Sequence, residues 1–443
     1  MKKSETCREN NSESIWCENI KKPQFASLTE SKNVDVLVIG GGIAGILCAY
    51  KLKNAGVDCM LLEAKKICSG ITKNTTAKIS IQHGLIYDKI IRRFGEERAQ
   101  LYLNAQQQAF EEYAKICKTI PCDYERRDSY VFSLNDAGKI EKEISAMERL
   151  GLKAEFSACE ELPFSVAGAV ALKGEAAFHP LKFLFSIAKD LPIYEDTKVI
   201  ELKPFEARTN HGSVRFKKLV IATHFPILNK HGLYPLKLYQ HRSYVIALKN
   251  AQKLNGMYVD ESDTGMSFRG YKDYLLLGGG GHRTGKRGAG WHELEKFKDE
   301  YYKGASTVSK WATQDCMTLD GVPYIGQYSK ETKNVFVATG FNKWGMTNAM
   351  ATSNIISDLV MERENALAKV FYPSRSILTP QLAVNIFESI IGLITPTVPR
   401  CPHLGCALKY NKAEHSWDCP CHGSRFALDG KLIDNPATDD KRM

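Results

Sequence analysis

The chain has 443 residues, 44% of them hydrophobic and 25% charged, which suffices for two or three packed domains and excludes disorder, collagen-like repeats and coiled coil. Its 60 Lys+Arg against 50 Asp+Glu leave +10, with both signs mixed along the chain. That balance reads as solubility with weak attraction to anions, and it excludes a basic nucleic-acid-binding arm.

Of 13 cysteines, nine are scattered between Cys7 and Cys316, while Cys401, Cys406, Cys419 and Cys421 fall within 21 residues. The first thirty residues carry Glu5, Glu9, Glu13 and Glu18 and lack an apolar core segment, so no secretory signal is expected. A cytoplasmic protein with reduced, dispersed thiols is the expectation that follows. Residues 386–394 form the longest C-terminal apolar stretch, interrupted by Glu388. It falls short of the ~20 residues that cross a bilayer, so no transmembrane anchor is expected.

Residues 34–39 are a β-branched, nearly continuous apolar run, as in a strand buried on both faces of a parallel sheet. Gly40-Gly41-Gly42-Ile43-Ala44-Gly45 follows, then a helical stretch to Asn54, a break at Gly56 and a second strand over 58–63. In this pattern Gly40 makes the tight turn, Gly42 admits a pyrophosphate close to the backbone and Gly45 lets helix and strand pack. The helix start at Ile43 and Ala44 offers N–H groups to phosphate. Glu63, 23 residues after Gly40, is placed to accept hydrogen bonds from a ribose.

The next segment, from Ala64 and Lys65 through Gly70, Thr72, Thr75 and Thr76 to Ala77, resembles the cofactor loop of the glycine oxidase/D-amino-acid oxidase superfamily of FAD enzymes. The resemblance continues in order. Val199 matches the strand that meets adenine, Ala222-Thr223 the end of the strand returning to the FAD domain, and Asp320-Gly321-Val322-Pro323-Tyr324-Ile325-Gly326 the D-G-x-P-x-I-G segment. A last parallel strand reaches Gly340, and a turn and helix start through Lys343, Trp344, Gly345, Met346 and Thr347 would face the isoalloxazine. The resemblance implies FAD. Lys343 beside the flavin would stabilise the charge of its reduced form; a solvated loop lysine is the alternative.

Between these segments, residues 85–160 read as amphipathic helices and residues 236–317 as half-buried antiparallel strands, from which the superfamily builds its substrate domain. Arg242, Arg269, His282 and Arg283 are candidate substrate contacts, because a buried arginine holds a carboxylate bidentately; each has a structural or surface role as its alternative. Gly280 to Lys286 fits the spacing of a phosphate-binding loop, yet Arg287 stands where Ser or Thr must hold Mg²⁺, which excludes an NTPase. Cys316 loosely resembles the cysteine that links FAD covalently in sarcosine oxidases, but its spacing to Asp320 departs from that pattern, and a buried inert thiol is the alternative.

Near the C-terminus, Cys401-Pro402-His403-Leu404-Gly405-Cys406 and, after twelve residues, Cys419-Pro420-Cys421-His422-Gly423-Ser424 resemble the two boxes of a Rieske iron–sulfur domain. The resemblance implies a [2Fe–2S] cluster with Cys401 and Cys419 on one iron and His403 and His422 on the other. It further implies a Cys406–Cys421 disulfide, as in Rieske proteins of the cytochrome bc type. A small zinc site from the same side chains is the alternative.

Taken whole, the chain resembles a bacterial family of FAD-dependent oxidoreductases with a fused C-terminal Rieske domain. The fold this implies is an α/β Rossmann-like FAD-binding domain with an inserted α+β antiparallel-sheet substrate domain and a small β-type Rieske segment. The expected partition is an N-terminal extension (1–33), FAD-binding parts (34–84, 161–225, 319–368), substrate parts (85–160, 226–318), a linker with an amphipathic helix (369–399) and the Rieske segment (400–443). Family members place several strands between the FAD module and the first cysteine box, whereas here residues 394–400 lead almost directly into Cys401, so the segment is shortened. The implied activity is oxidation of a small amine or amino acid, with electrons passing through the cluster to a protein or quinone acceptor. Reversed flow, or an electron-transfer or redox-sensing module without turnover, are the alternatives; a pocket lined by Arg242, Arg269 or His282 on the flavin face would favour the enzyme.

Overall fold

The apolar run of the fingerprint becomes the strand Lys32–Ile39, followed by the helix Ile43–Asn54 and the strand Cys59–Leu62. The structure, a computed structural model, describes residues 13–228, 230–262, 265–396 and 399–441; Cys7 lies outside them. Lys32–Ile39 pairs in parallel with Cys59–Leu62 on one side and Ser213–Ile221 on the other, and Ser213–Ile221 pairs in parallel with Val335–Thr339. Ile193–Tyr194 extends this sheet beyond Cys59–Leu62, and Tyr324–Gln327 closes the other end antiparallel. Both faces are covered, which is why these strands read as unbroken apolar runs.

A second, nine-stranded sheet runs in the order Ser306–Thr318, Leu238–Lys249, Tyr274–Arg283, Ser267–Tyr271, Met257–Asp260, Glu125–Ser133, Gly168–Ala177 and Lys78–Ile79, with Glu155–Ser157 beside Gly168–Ala177. Two boundaries therefore differ from expectation. Gly168–Ala177 and Lys78–Ile79, expected in the FAD unit, pair with each other and extend the second sheet. The expected helical part also contributes the strand Glu125–Ser133, because the chain crosses between the sheets more often than its composition reveals. The N-terminal extension is anchored by Trp16, fully buried, whose indole N–H donates to Thr75 O at 2.7 Å.

The C-terminal segment is a four-stranded antiparallel meander over Lys409–Asn411, Ser416–Asp418, Arg425–Phe426 and Leu432–Asp434. The expected linker helix is Pro380–Ile394, started by Thr379, whose hydroxyl accepts from Leu382 N–H. It packs against the cysteine boxes: a Cβ added at Gly392 would lie 2.4 Å from Cys421 Sγ. Among the described residues no helix is long and apolar enough to cross a membrane.

Candidate functional site

The glycine turn has the geometry that a dinucleotide requires. Gly40 adopts φ +111°, and a Cβ there would lie 2.5 Å from Ala222 O. A Cβ on Gly45 would sit 1.9 Å from Gly40 O, so only glycine lets the helix Ile43–Asn54 approach the strand. Thr72 Oγ1 accepts from Ile43 N–H at 3.1 Å. Glu63 accepts from the Gly41 and Lys65 amides at 2.7 and 2.8 Å, and each oxygen retains a lone pair for a ribose hydroxyl.

These groups open onto one cavity of about 1510 Å³, larger than the ~300–1,000 Å³ of an ordinary small-molecule site. Of the expected cofactor residues, Gly40, Gly42, Ile43, Ala44, Glu63, Ala64, Lys65, Gly70, Thr72, Thr75, Thr76, Val199, Ala222, Thr223, Gly340, Lys343, Trp344, Gly345 and Met346 line it. Gly45 and Ala77 stand behind the wall. Thr347 is buried and bonds to His83 Nε2 at 2.8 Å, while Trp344 stacks on the His83 ring. Tyr102 holds the other ring nitrogen at 2.6 Å, and burial pushes His83 down to about 3, so its ring is neutral. Cys316 packs against Thr339, and burial pushes its thiol up to about 12, the environment of an inert thiol. A bare, extended cradle with an acidic ribose acceptor fits FAD.

The two cysteine boxes fold into matching loops. In each, the first cysteine carbonyl accepts from the glycine four residues on, Gly405 or Gly423, both with positive φ, and its N–H donates to the carbonyl of Cys406 or Ser424. The four expected ligands converge: Cys401, Cys419 and His422 are buried, Cys419 is within hydrogen-bond reach of Cys401, and the two imidazoles stand 5.1 Å apart between centroids. His422 Nδ1 is buried with no hydrogen-bond partner. Burial and then Arg283 push His422 down to about 4, so it is neutral, the form that binds metal. Two thiols and an orphaned imidazole nitrogen fit a Rieske cluster. The expected Cys406–Cys421 disulfide is not formed; both are free thiols, clustered with Cys419 within 4.8 Å.

The expected substrate arginines have other partners. Arg242, 2% exposed, binds Glu414 through Nε at 3.0 Å and through Nη2; Glu414 also accepts from Arg425 and Tyr244, and Arg425 reaches Asp418 and Asp434. Arg242 is thus the hinge pin between the substrate sheet and the Rieske segment. Arg283 donates to the carbonyls of Pro420 and Cys421 and to Asn385, clasping the second box to the linker helix. Arg269 donates to the carbonyls of Thr76, Ala77 and Phe178 under Trp16, and His282 stacks on Tyr244. Of the four only Arg242 lines the cofactor cavity, and its guanidinium is paired with Glu414.

Sequence reasoning missed the contacts that seat the Rieske segment. Gln314 Nε2 donates to Gly423 O, and Asn435 Nδ2 donates to the carbonyls of Thr223 and Phe225. The Phe225 ring lies 6.2 Å from each cluster histidine. Glu414, Asp434 and Asn435 also line the cofactor cavity.

A dinucleotide cradle, a large cavity against an antiparallel sheet and a pair of Cys/His loops define a flavoprotein oxidoreductase with an iron–sulfur segment. The family model described as FAD dependent oxidoreductase matches residues 35–359, and that of the Rieske [2Fe-2S] domain matches 379–442. The chain belongs to the FAD dependent oxidoreductase family and carries a C-terminal Rieske domain; its cofactors are FAD and a [2Fe–2S] cluster. It is 32% identical to the provisionally named Rieske 2Fe-2S iron-sulfur protein YhfW of Bacillus subtilis (strain 168), over 96% of both chains. That alignment spans 488 positions, so the relative carries segments that this chain lacks. Gamma-glutamylputrescine oxidoreductase of Escherichia coli (strain K12) is 25% identical over 80% of this chain and 90% of its own. The glycine oxidase structure from Geobacillus kaustophilus superposes with a TM-score of 0.64 at 18% identity, over 78% of this chain and 100% of that one, a likeness of fold.

Proposed function

We propose that this oxidoreductase takes electrons from a small amine or amino acid and passes them through its Rieske segment to a separate protein or quinone acceptor. When bound, FAD supplies two-electron oxidation with stepwise release, and the [2Fe–2S] centre supplies a one-electron carrier. Phe225 carries this reading: its ring meets both cluster histidines, and the two residues before it, Thr223 and His224, line the cofactor cavity. The histidine edge of the cluster site is thereby turned inward, toward the flavin module.

The chain's own residues hold this arrangement. Gly42 and the Ala44 amide would receive the pyrophosphate, with Thr72 holding the Ile43 amide; Glu63 would receive the ribose, and the helix start before Thr347, braced by His83, the flavin. Glu414, Asp434 and Asn435 supply the Rieske segment's part of the cavity wall. The name of the Escherichia coli relative supports an amine substrate, and two free thiols beside the cluster loops suit a cytoplasmic setting. Anaerobic stopped-flow mixing with a panel of amines and amino acids tests the proposal. Flavin bleaching followed by cluster reduction is expected, with the second phase slowed about tenfold in Phe225→Ala. No bleaching by any member would remove the dehydrogenase reading.

A further inference from the structure

Cross-strand pairing places His241, on Leu238–Lys249, directly opposite Asp315, on Ser306–Thr318. Their neighbours fix the direction of both side chains. Gln240 reaches His224, Arg242 reaches Glu414, Gln314 reaches Gly423, and Cys316 packs on Thr339. Strand alternation sends His241 and Asp315 together to the other face; Asp315 lines the cofactor cavity, as Arg242, Gln314 and Cys316 also do, while His241 stands behind it. The backbone carbonyl of Cys316 accepts from Asn342 N–H at 3.1 Å, which sets Asp315 beside the turn that enters the flavin-facing helix.

This carboxylate has an unusual environment for a cavity wall. Among the described residues it makes no hydrogen bond, although the charges of Lys343 and Arg242 act on it. Arg242 is already committed to Glu414. His241 is 6% exposed, and its Nδ1 has no hydrogen-bond partner; burial, with Lys343, His282 and Arg283 nearby, pushes it down to about 3, so it is neutral. Asp315 is half-buried on the cavity wall, and its open acceptor positions, beside the unpartnered His241 imidazole and with Lys343 as the nearest cation acting on it, suit a ligand that brings hydrogen-bond donors.

We infer that Asp315, with His241 beside it, is the anchor for the ammonium group of an amine substrate and accepts its proton before oxidation. The inference rests on the amine reading above and narrows it: recognition runs through the nitrogen, not through a carboxylate. In the step, the substrate N–H bond breaks and an O–H bond forms on Asp315. An ion pair becomes a neutral amine and a neutral acid, and no electrons move. A neutral amine keeps the nitrogen lone pair that oxidation of the adjacent carbon requires. Burial pushes Asp315 up to about 6, so it is ionised at pH 7 yet basic enough to take a proton transiently. Ammonium binding should therefore weaken as pH falls through about 6.

The test uses FAD-loaded protein, butylamine and butyrate as matched probes, and the flavin absorbance shift as a binding signal under anaerobic conditions. Wild type should bind butylamine more tightly than butyrate, with affinity falling below about pH 6. Asp315→Asn should bind butylamine at least tenfold more weakly, with the pH dependence gone, while keeping its FAD content and melting temperature. Asp315→Glu should restore part of the affinity. Butylamine binding that is undetectable in wild type, unchanged in Asp315→Asn, or weaker than that of butyrate would overturn the inference. Flavin bleaching by amines that persists undiminished in Asp315→Asn would sink the anchor and spare the dehydrogenase; Asp315-dependent binding without bleaching would do the reverse.

Discussion

Arg242→Met removes the guanidinium that joins the substrate sheet to the Rieske segment while keeping most of the apolar stem. Breaking a buried ion pair from one side costs about 3–5 kcal/mol, because the surviving charge is left desolvated. Glu414 would keep Arg425 at 2.8 Å and the Tyr244 hydroxyl at 3.1 Å, which puts the loss at the lower end, about 3 kcal/mol. At about 1.4 kcal/mol per tenfold, the docked form loses a factor of roughly a hundred. Hydrogen exchange of the amides in 400–441 reads this directly, since local opening scales with docking free energy. Exchange there should rise by a similar factor, while the strand Lys32–Ile39 stays as protected as in wild type. Arg242→Met combined with Glu414→Gln should recover part of the loss, since removing both charges spares the desolvation penalty. Wild-type exchange in Arg242→Met, or a double variant worse than the sum of the single ones, would refute the reasoning.

Acid should release the same contact. Burial pushes Glu414 up, but Arg242 and Arg425 more than offset this and hold it below the usual carboxylate range. A depressed carboxylate contributes stability that is present above its unfolded pKa and lost as pH falls through the folded one, so exchange in 400–441 should begin to rise below about pH 4. Gly45→Ala should yield protein without FAD, measured by flavin absorbance after purification, because its Cβ would meet Gly40 O at 1.9 Å. His422→Ala should lose bound iron, measured by metal analysis, while retaining FAD; Cys406→Ser and Cys421→Ser should keep it, since neither is in the expected ligand set.

What was legible in the sequence follows from how local each feature is. The turn from Gly40 to Gly45 and the two cysteine boxes are set by backbone conformation within six residues, so their spacing sufficed. The structural partners of Arg242 and Arg283 were not legible because Glu414 and Cys421 lie 172 and 138 residues away, and an isolated arginine looks the same whether it meets a substrate or a docked segment. The pairing of Gly168–Ala177 with Glu125–Ser133 was not legible because an apolar strand does not announce its neighbours. Asp315 and His241 gained meaning only once register set them opposite each other. The Cys406–Cys421 disulfide came from resemblance, whereas the structure holds both as free thiols.

The central claim is that flavin and Rieske centre form one electron path. Electron paramagnetic resonance on anaerobically purified protein, before and after reduction by an amine that bleaches the flavin, tests it most directly. The account predicts iron and FAD in the ratio two to one and a Rieske signal that appears as the flavin is reduced. Protein that carries FAD with zinc or no metal, or a cluster that stays oxidised while the flavin is fully bleached, would contradict it.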